Sequence, residues 1–373
     1  MLHTYAVRSD ESRGRRHPED SDGERSAFQL DRDRILHCRA WRRMEGKTQV
    51  FVAHFGDHYR DRMTHSLEVA QISRDLARWL GLNEDLTEAI ALAHDLGHTP
   101  FGHAGEHALN ECLGKHGLDF EHNEQSRRVV EEIECVYPGH PGLNLSVEVL
   151  EGLMKHHSSW DNPLGNLNVT PSLEAQVVNL GDEIAYQNHD IDDGLRSGLL
   201  HESDLKELTL WREAKAEVEK SYGQIPSDRI RIARTISKMM GLMIRDVHAE
   251  TARRLKSKQI QNLEDVYLCS EPLVGFSQKG VEANAELKHF LMQKLYFHPE
   301  VVKHSQHGQN IIKALFDHYL QHPEEVPREE TGSSGFGALR DYLAGMTDRF
   351  AEQQAQALGL QVEPQRGLHL EHP

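Results

Sequence analysis

Apolar residues recur at helical spacing along almost the whole chain, and few stretches alternate apolar and polar residues as strands do. This periodicity constrains the fold strongly, because an amphipathic segment of helical period buries its apolar face only as a helix. One such stripe stops before Gly81, a residue type that commonly ends helices, and consists of Met63, Leu67, Ala70, Ala77 and Leu80. The sequence therefore predicts an all-α fold.

The next helix is expected after Asn83, a favourable N-cap residue. It leads into the segment 94–100, where Gly97 and Pro100 oppose further helix, so a turn is predicted there. A long helix is expected to open with Thr170 as N-cap and Pro171 at its first position. Other helices are expected over residues 103–113, 124–136, 147–156, 203–220, 228–256 and 281–297.

The domain organisation follows from composition along the chain. No segment between residues 26 and 350 has the composition of a linker, so residues 26–355 are predicted to form a single large domain. Residues 1–25 are rich in Arg, Asp, Glu, Ser and Gly, which predicts a flexible N-terminal arm. Residues 356–373 are expected to form a flexible C-terminal tail, and the Gly/Ser segment 332–337 is expected to be a loop.

Charge and cysteine usage narrow the class of protein. The formal net charge of −17 argues against a protein that coats nucleic acid, because backbone affinity comes from clustered Lys and Arg. No window approaches the length of an apolar membrane span, and the N-terminus lacks the apolar core of a signal peptide. The four cysteines show no CxxC spacing, which is typical of free thiols in a reducing compartment. A cytoplasmic protein without membrane partners is predicted.

Four positions have the residue types of a metal site: His65, the adjacent pair His94 and Asp95, and Asp182. Each alone has an ordinary explanation, since single helical histidines and aspartates usually lie at the surface. Together they supply two imidazoles and two carboxylates, a mixed set suited to Mn, Fe, Ni or Mg. Two positions would remain open for water and a phosphate oxygen, as a hydrolytic metal requires.

Other polar residues lie at helical spacing near these positions. His103 and Glu106 are three residues apart and share a helix face, so the carboxylate can orient the imidazole for proton transfer. On spacing alone, an ordinary surface pair on a helix is the favoured explanation. Tyr186 and Asp190 follow Asp182 at intervals of four and share its face.

Longer motifs surround the candidate ligands and make a family resemblance specific. They are RDRILHCRAWRRMEGKTQVF from Arg32, RDRMTHSLEVAQI from Arg60, AHDLGHTPFGHAGE from Ala93, FEHNEQS from Phe120, NLGDEIAYQNHDIDD from Asn179 and DYLAGMTDRFA from Asp341. Over about residues 30–351 the chain resembles the dGTPase-like deoxynucleoside triphosphate triphosphohydrolases of the HD superfamily. The resemblance implies an HD-domain helical fold with a metal-binding core over about residues 60–192.

The resemblance also implies an enzyme that hydrolyses dGTP or several dNTPs to deoxynucleoside and inorganic triphosphate. The metal, Mg or Mn with Ni or Fe as further options, would be held by His65, His94, Asp95 and Asp182. His103, Glu106 and His122 occupy the family's catalytic positions. The substrate-binding positions are Gln49 near the base, Arg62 and His98 at the phosphates, Tyr186 beneath the sugar and Asp190 at the 3′-OH.

One departure concerns the residue after the last ligand, which is a lysine in animal members and Glu183 here, so the chain resembles the bacterial branch. The resemblance implies a homo-oligomer and leaves open a dNTP activator and single-stranded DNA as further partners. Two alternatives remain on the same residues. One is a nucleoside monophosphate phosphatase or cyclic-nucleotide phosphodiesterase; the other is a dNTP-sensing or DNA-binding oligomer with little turnover.

Overall fold

The computed structural model describes residues 2–20, 23–49, 59–154, 170–327 and 334–360. Within these ranges the chain forms fifteen α-helices and no β-strand, which confirms the all-α prediction. The helices are α1 (Ala27–His37), α2 (Arg39–Arg43), α3 (Arg62–Leu80), α4 (Glu84–Ala93), α5 (Gly102–Gly114), α6 (His122–Arg128), α7 (Val147–Leu153), α8 (Leu173–Arg196), α9 (Thr209–Tyr222), α10 (Asp228–Ser257), α11 (Leu263–Tyr267), α12 (Gln278–Leu291), α13 (Pro299–Gln321), α14 (Phe336–Ala344) and α15 (Asp348–Ala357). Short π-helical segments follow α6 and α12 at Val129–Ile133 and Met292–Tyr296.

The centre of the fold is the packing of α3 against both α4 and α8. Apolar stripes on these helices meet in one hydrophobic cluster, in which Ile72, Ile90 and Ile184 are fully buried. Burying a side chain of this size contributes about 1.5–3 kcal/mol to stability. The start of α3 and the end of α4 can therefore lie beside the middle of α8, which is the condition for a shared site.

A second hydrophobic cluster lies between α5 and α13–α15. The carboxylate of Asp348, the first residue of α15, accepts from the backbone nitrogens of Thr48 and Phe101, at 3.0 and 2.9 Å. Asp348 thereby joins this second cluster to the segment between α4 and α5, in which Phe101 lies. The segment that precedes α5 is therefore fixed from the C-terminal side of the chain as well as by its own helix.

The helix ends around the central packing agree with the sequence. Gly81 ends α3 with φ of +67°, a left-handed conformation that glycine adopts without strain. Asn83 caps α4, since its side chain accepts from the backbone nitrogen of Leu86 at 3.2 Å. The helix α4 ends at Ala93, and the predicted turn follows.

Several predicted helix boundaries differ from the structure, among them the start of the helix expected over 203–220, which begins at Thr209. Thr170 and Pro171 precede the long helix, whose N-cap is Ser172, because the Thr170 hydroxyl donates to the backbone of Cys269 and does not cap α8. The helix expected over 124–136 is α-helical only to Arg128 and continues as a π-helical turn. The helix α7 ends at Leu153, and residues 155–169, including the end expected for it at His156, lie outside the described residues.

Residues 2–20 do not form the flexible arm that the sequence predicted. Ala6 and Val7 are buried, and the backbone nitrogen of Val7 donates to the Glu174 carboxylate at 3.0 Å. The side-chain amide of Asn83 donates a hydrogen bond to the Val7 carbonyl at 2.9 Å. The segment is held because two apolar side chains and both backbone groups of one residue find partners on the helical body, which composition alone did not reveal.

At the other end, α15 extends to Ala357, two residues into the predicted flexible tail, and residues 361–373 lie outside the described part. Of the expected Gly/Ser loop 332–337, residues 332 and 333 are also outside it, residues 334 and 335 precede α14, and residues 336 and 337 begin that helix. All four cysteines are free. Among the described helices, none combines the length and apolar character needed to cross a membrane.

Candidate functional site

The four predicted metal ligands meet where α3, α4 and α8 converge. His65 lies in the first turn of α3, the pair His94 and Asp95 follows α4, and Asp182 lies in the middle of α8. The Nε2 atom of His65 is 3.0 Å from Asp182 Oδ1, and the Nε2 atom of His94 is 3.6 Å from the same oxygen. His65, His94 and Asp95 are buried, and their ligand atoms lie within 4.8 Å of one another.

The orientation of His94 indicates what this cluster holds. Its Nδ1 lies 2.7 Å from the carbonyl of Ala91, so Nδ1 carries the proton and donates. Nε2 then presents a lone pair to Asp95 Oδ1 at 3.2 Å and to Asp182 Oδ1. A lone pair that faces carboxylate oxygens is repelled unless a cation lies between them, so the donor set fits a divalent metal.

The electrostatic surroundings keep Asp95 ionised. Burial alone would raise the pKa of Asp95, but His94, His98 and Arg62 outweigh burial and hold that pKa well below its usual range. Arg62 Nη1 donates to Asp95 Oδ2 at 2.7 Å, while Asp95 Oδ1 faces the two histidines. One oxygen of the Asp95 carboxylate thus binds the Arg62 guanidinium, and the other faces His94 and His98.

Arg62 is 1% exposed, and its Nε and Nη2 atoms make no hydrogen bond to any described residue. Nη2 lies on the side of Gly102, where an added Cβ would be 3.2 Å from that nitrogen. Buried donors without partners are costly, at about 1–3 kcal/mol each and more for a charged group. Two such donors on one guanidinium indicate a place for an anion beside Asp95.

His98 lies on the other side of the same carboxylate, with Nε2 at 3.3 Å from Asp95 Oδ1. Burial, and then the charge of Arg62, lower the pKa of His98 well below its usual range. Its Nδ1 is buried and makes no hydrogen bond to a described residue. The ring stacks on His122 with centroids 3.9 Å apart.

Gly97 permits that stacking. A Cβ at this position would lie 2.1 Å from the backbone nitrogen of Ser126 and 2.4 Å from the carbonyl of His122, so only glycine fits there. The first turn of α6 therefore packs directly on the segment after α4, and His122 reaches the cluster from a different helix.

Glu106 joins the three predicted catalytic residues into one unit. Its Oε2 is 3.1 Å from His103 Nδ1, and its Oε1 is 2.8 Å from His122 Nδ1. Burial would raise the pKa of Glu106, but the hydrogen bonds to the two imidazoles hold it far below its usual range. The His103 side chain is 77% exposed, whereas that of His122 is 16% exposed, so a single carboxylate orients one outer and one inner imidazole.

The predicted sugar-binding residues lie further along α8. Tyr186 is half-buried, and burial raises the pKa of its hydroxyl to about 12. Asp190 is 1% exposed, and burial raises its pKa to about 7. The hydroxyl of Tyr296, in the π-helical segment after α12, donates to Asp190. The carboxylate that was predicted to accept from a sugar hydroxyl therefore already has one protein partner.

Gln49 lies beside the start of α5, since its backbone carbonyl would be 3.3 Å from a Cβ on Gly102. Its side-chain Oε1 is buried and makes no hydrogen bond to a described residue. Its place at a base edge stays a prediction. The residues that follow it, 50–58, lie outside the described ranges.

Sequence reasoning missed several residues around the site. His189 contacts His65, Glu68 contacts His189, and Tyr296 contacts Asp190. Lys288 of α12 pairs with Glu183 at 2.8 Å, so the acidic residue after the last ligand holds a cation from another helix. Spacing could have pointed to two of these four, since His189 follows Asp182 by seven residues and Glu68 follows His65 by three.

Known proteins are similar to this chain over most of its length. The HD domain family matches residues 62–187, and the phosphohydrolase-associated domain family matches residues 274–357. A deoxyguanosinetriphosphate triphosphohydrolase-like protein of Geobacter sulfurreducens is 50% identical, covering 93% of this chain and 92% of that protein. Proteins with the same description from Leptospira interrogans and Bordetella pertussis are 44% and 46% identical, each covering 96% of both chains.

Proposed function

Because the chain belongs to the deoxyguanosinetriphosphate triphosphohydrolase-like family of HD-domain phosphohydrolases, we propose that it hydrolyses deoxynucleoside triphosphates to deoxynucleoside and inorganic triphosphate. Membership in this family makes it a metal-dependent phosphohydrolase.

The main support for the proposal comes from two buried side chains beside the ligand cluster, the guanidinium of Arg62 and the imidazole of His98. Arg62 and His98 flank Asp95, and both have buried nitrogens that make no hydrogen bond to described residues. An α-phosphate at this place would accept from the guanidinium of Arg62, which suits phosphate oxygens geometrically, and from His98 when both nitrogens of its ring carry a proton. These contacts would put the α-phosphorus next to His65, His94 and Asp182.

The ligand set supports a divalent cofactor, for which Mg or Mn is proposed, with Ni and Fe as further candidates. A cation held by His65, His94, Asp95 and Asp182 would polarise the α-phosphate and lower the pKa of an attacking water. Arg62 orients Asp95, and the Ala91 carbonyl orients His94, so two of the four ligands are fixed by partners outside the cluster.

Proton transfer is assigned to the unit built on Glu106. The leaving 5′-oxygen needs a proton, and His103 is the more exposed of the two imidazoles that Glu106 orients. The carboxylate stabilises the protonated form of the ring, so that His103 can donate to the oxygen as the bond breaks. His122 stacks on the buried His98, with its centroid 5.9 Å from that of His103, and is the second candidate for the same step.

The reaction products test the proposal directly. Incubation of the purified protein with dGTP and Mn²⁺ in ¹⁸O-water is expected to give intact triphosphate that carries the label and unlabelled deoxyguanosine. The reason is that Arg62 and His98 would hold the α-phosphate while His103 donates a proton to the 5′-oxygen. The bond between the α-phosphorus and that oxygen therefore breaks. Mass spectrometry of both products reads the outcome.

Two controls make the product test decisive. Deoxyguanosine monophosphate and a cyclic nucleotide are offered in parallel, because a monophosphatase or a phosphodiesterase would use the same ligand set. Release of labelled orthophosphate or pyrophosphate from dGTP would contradict the proposed bond cleavage. Nucleotide-dependent assembly without any product would favour a dNTP sensor.

Selection of deoxyribose is proposed to depend on Tyr186, whose ring would leave no room for a 2′-OH. Tyr186→Ala is expected to lower the ratio of kcat/KM for dGTP over GTP by about tenfold or more, as loss of a steric contact in a pocket typically does. Tyr222→Ala, at an exposed tyrosine that ends α9, is the matched control and should leave the ratio unchanged. An unchanged ratio in folded Tyr186→Ala would remove this residue from the sugar site.

A further inference from the structure

A line of polar contacts runs from the surface of α3 to the first ligand of the metal cluster. His65 Nδ1 lies 3.2 Å from His189 Nδ1, and the two rings are nearly perpendicular, at 86°. On its far side, His189 Nε2 contacts the Glu68 carboxylate. Arg60 Nε donates to that carboxylate at 2.9 Å. None of the roles proposed above uses Glu68 or His189.

These contacts determine which nitrogen of each ring carries a proton. A carboxylate only accepts, so the His189 Nε2 that faces Glu68 carries a proton. The other nitrogen of neutral His189, Nδ1, then has a lone pair and accepts from His65 Nδ1. When a cation lies between His65 Nε2 and Asp182 Oδ1, which are 3.0 Å apart, His65 therefore carries its proton on Nδ1 and presents the lone pair of Nε2 to that cation.

We propose that Glu68 and His189 are positioning residues that hold His65 in the tautomer and ring orientation needed to ligate the metal. The inference rests on the metal site of the proposed function and extends it to two residues that lie behind one ligand. Groups that fix a ligating imidazole through its second nitrogen commonly contribute about 10- to 100-fold in metal affinity.

The surroundings of the two residues suit a positioning role. The His189 side chain is 2% exposed, so its hydrogen bonds face little competition from water. Arg60 binds Glu68 and also pairs with Asp192 and Asp193 of α8, at 2.9 and 2.8 Å. The carboxylate is thereby anchored on both α3 and α8, the two helices that carry His65 and Asp182.

The test measures binding of Mn²⁺ alone, without nucleotide, by isothermal titration calorimetry and by metal content after dialysis. His189→Leu removes the acceptor for His65, and Glu68→Ala removes the group that orients His189. His189→Asn places an amide oxygen where the ring Nδ1 stands and keeps the acceptor. Asp75→Ala is the matched control, because Asp75 is an acid of similar exposure on the same helix that pairs with Arg78.

We expect His189→Leu and Glu68→Ala to weaken Mn²⁺ binding by about 10- to 100-fold, and His189→Asn to weaken it less. Asp75→Ala should bind Mn²⁺ as the parent does. Circular dichroism establishes that each variant is folded; the Glu68 side chain is 42% exposed, so Glu68→Ala decides the matter if His189→Leu does not fold.

Unchanged affinity in folded Glu68→Ala and His189→Leu would overturn the inference, as would equal loss in His189→Asn and His189→Leu. These results are distinct from failure of the proposed function. A parent protein that binds no Mn²⁺ would contradict the metal site itself. A parent that binds Mn²⁺ but releases no triphosphate would contradict the proposed reaction and leave the positioning role standing on its binding data.

Discussion

Asp95→Ala is expected to lose bound metal and to lower kcat/KM for dGTP by at least about 10³-fold. A metal that polarises phosphate and water contributes several kcal/mol to the transition state, and each 1.4 kcal/mol corresponds to about a factor of ten. The same change leaves the buried guanidinium of Arg62 without its carboxylate, which is expected to lower the free energy of unfolding by about 3–5 kcal/mol. Metal content, kcat/KM and thermal unfolding are measured on one preparation.

A second variant separates loss of metal from loss of folding. The side chain of Asp182 is 20% exposed, so Asp182→Ala should disturb the core less while it also removes metal and activity. Asp85→Ala, in the first turn of the helix that leads to Asp95, is the control and should retain both. Full activity with unchanged metal content in either ligand variant would show that the cluster is not the metal site.

His103→Ala is expected to lower kcat by about 10²- to 10⁴-fold and to leave Mn²⁺ binding unchanged. This is the usual range for a positioned acid or base, and the residue contacts Glu106 but none of the four metal ligands. The measurement is steady-state kinetics together with Mn²⁺ titration. His107→Ala changes another exposed histidine on the same helix and should leave kcat unaltered.

Substitution of Glu106 tests both imidazoles of the proton-transfer unit at once. Because Glu106 contacts both imidazoles, Glu106→Ala should lower kcat by a factor comparable to that of His103→Ala. Normal turnover in His103→Ala combined with a large loss in His122→Ala would assign the proton transfer to the inner imidazole. Normal turnover in all three variants would make the unit structural.

The helices and the residue types of the candidate metal ligands could be predicted from the sequence, because both are local properties. An apolar stripe of helical period specifies one helix wherever that helix packs, and Gly81 and Asn83 act only on their neighbours in the chain. The motifs around His65, His94 and Asp182 carried the family resemblance, which the comparisons confirmed. The all-α HD-domain fold followed from the same information.

The errors arose where a local signal competed with a contact from elsewhere in the chain. Thr170 and Pro171 are good residues to open a helix, yet the hydroxyl of Thr170 binds the backbone of Cys269, and Ser172 caps α8 instead. The composition of residues 2–20 indicates flexibility, yet Val7 pairs with Glu174. Propensity is a weak term, and a buried hydrogen bond between distant segments outweighs it.

The sequence by itself determined the helical class and which histidines and carboxylates could ligate a metal, since residue type and spacing are enough for both. Only the tertiary structure decided that Glu106 holds His103 and His122 together, and that Glu68 and His189 stand behind His65. His122 and Glu106 lie on different helices, and His189 is 124 residues from His65, so their contacts depend on how helices pack. Helical periodicity specifies the face of a helix but does not specify which other helix that face meets.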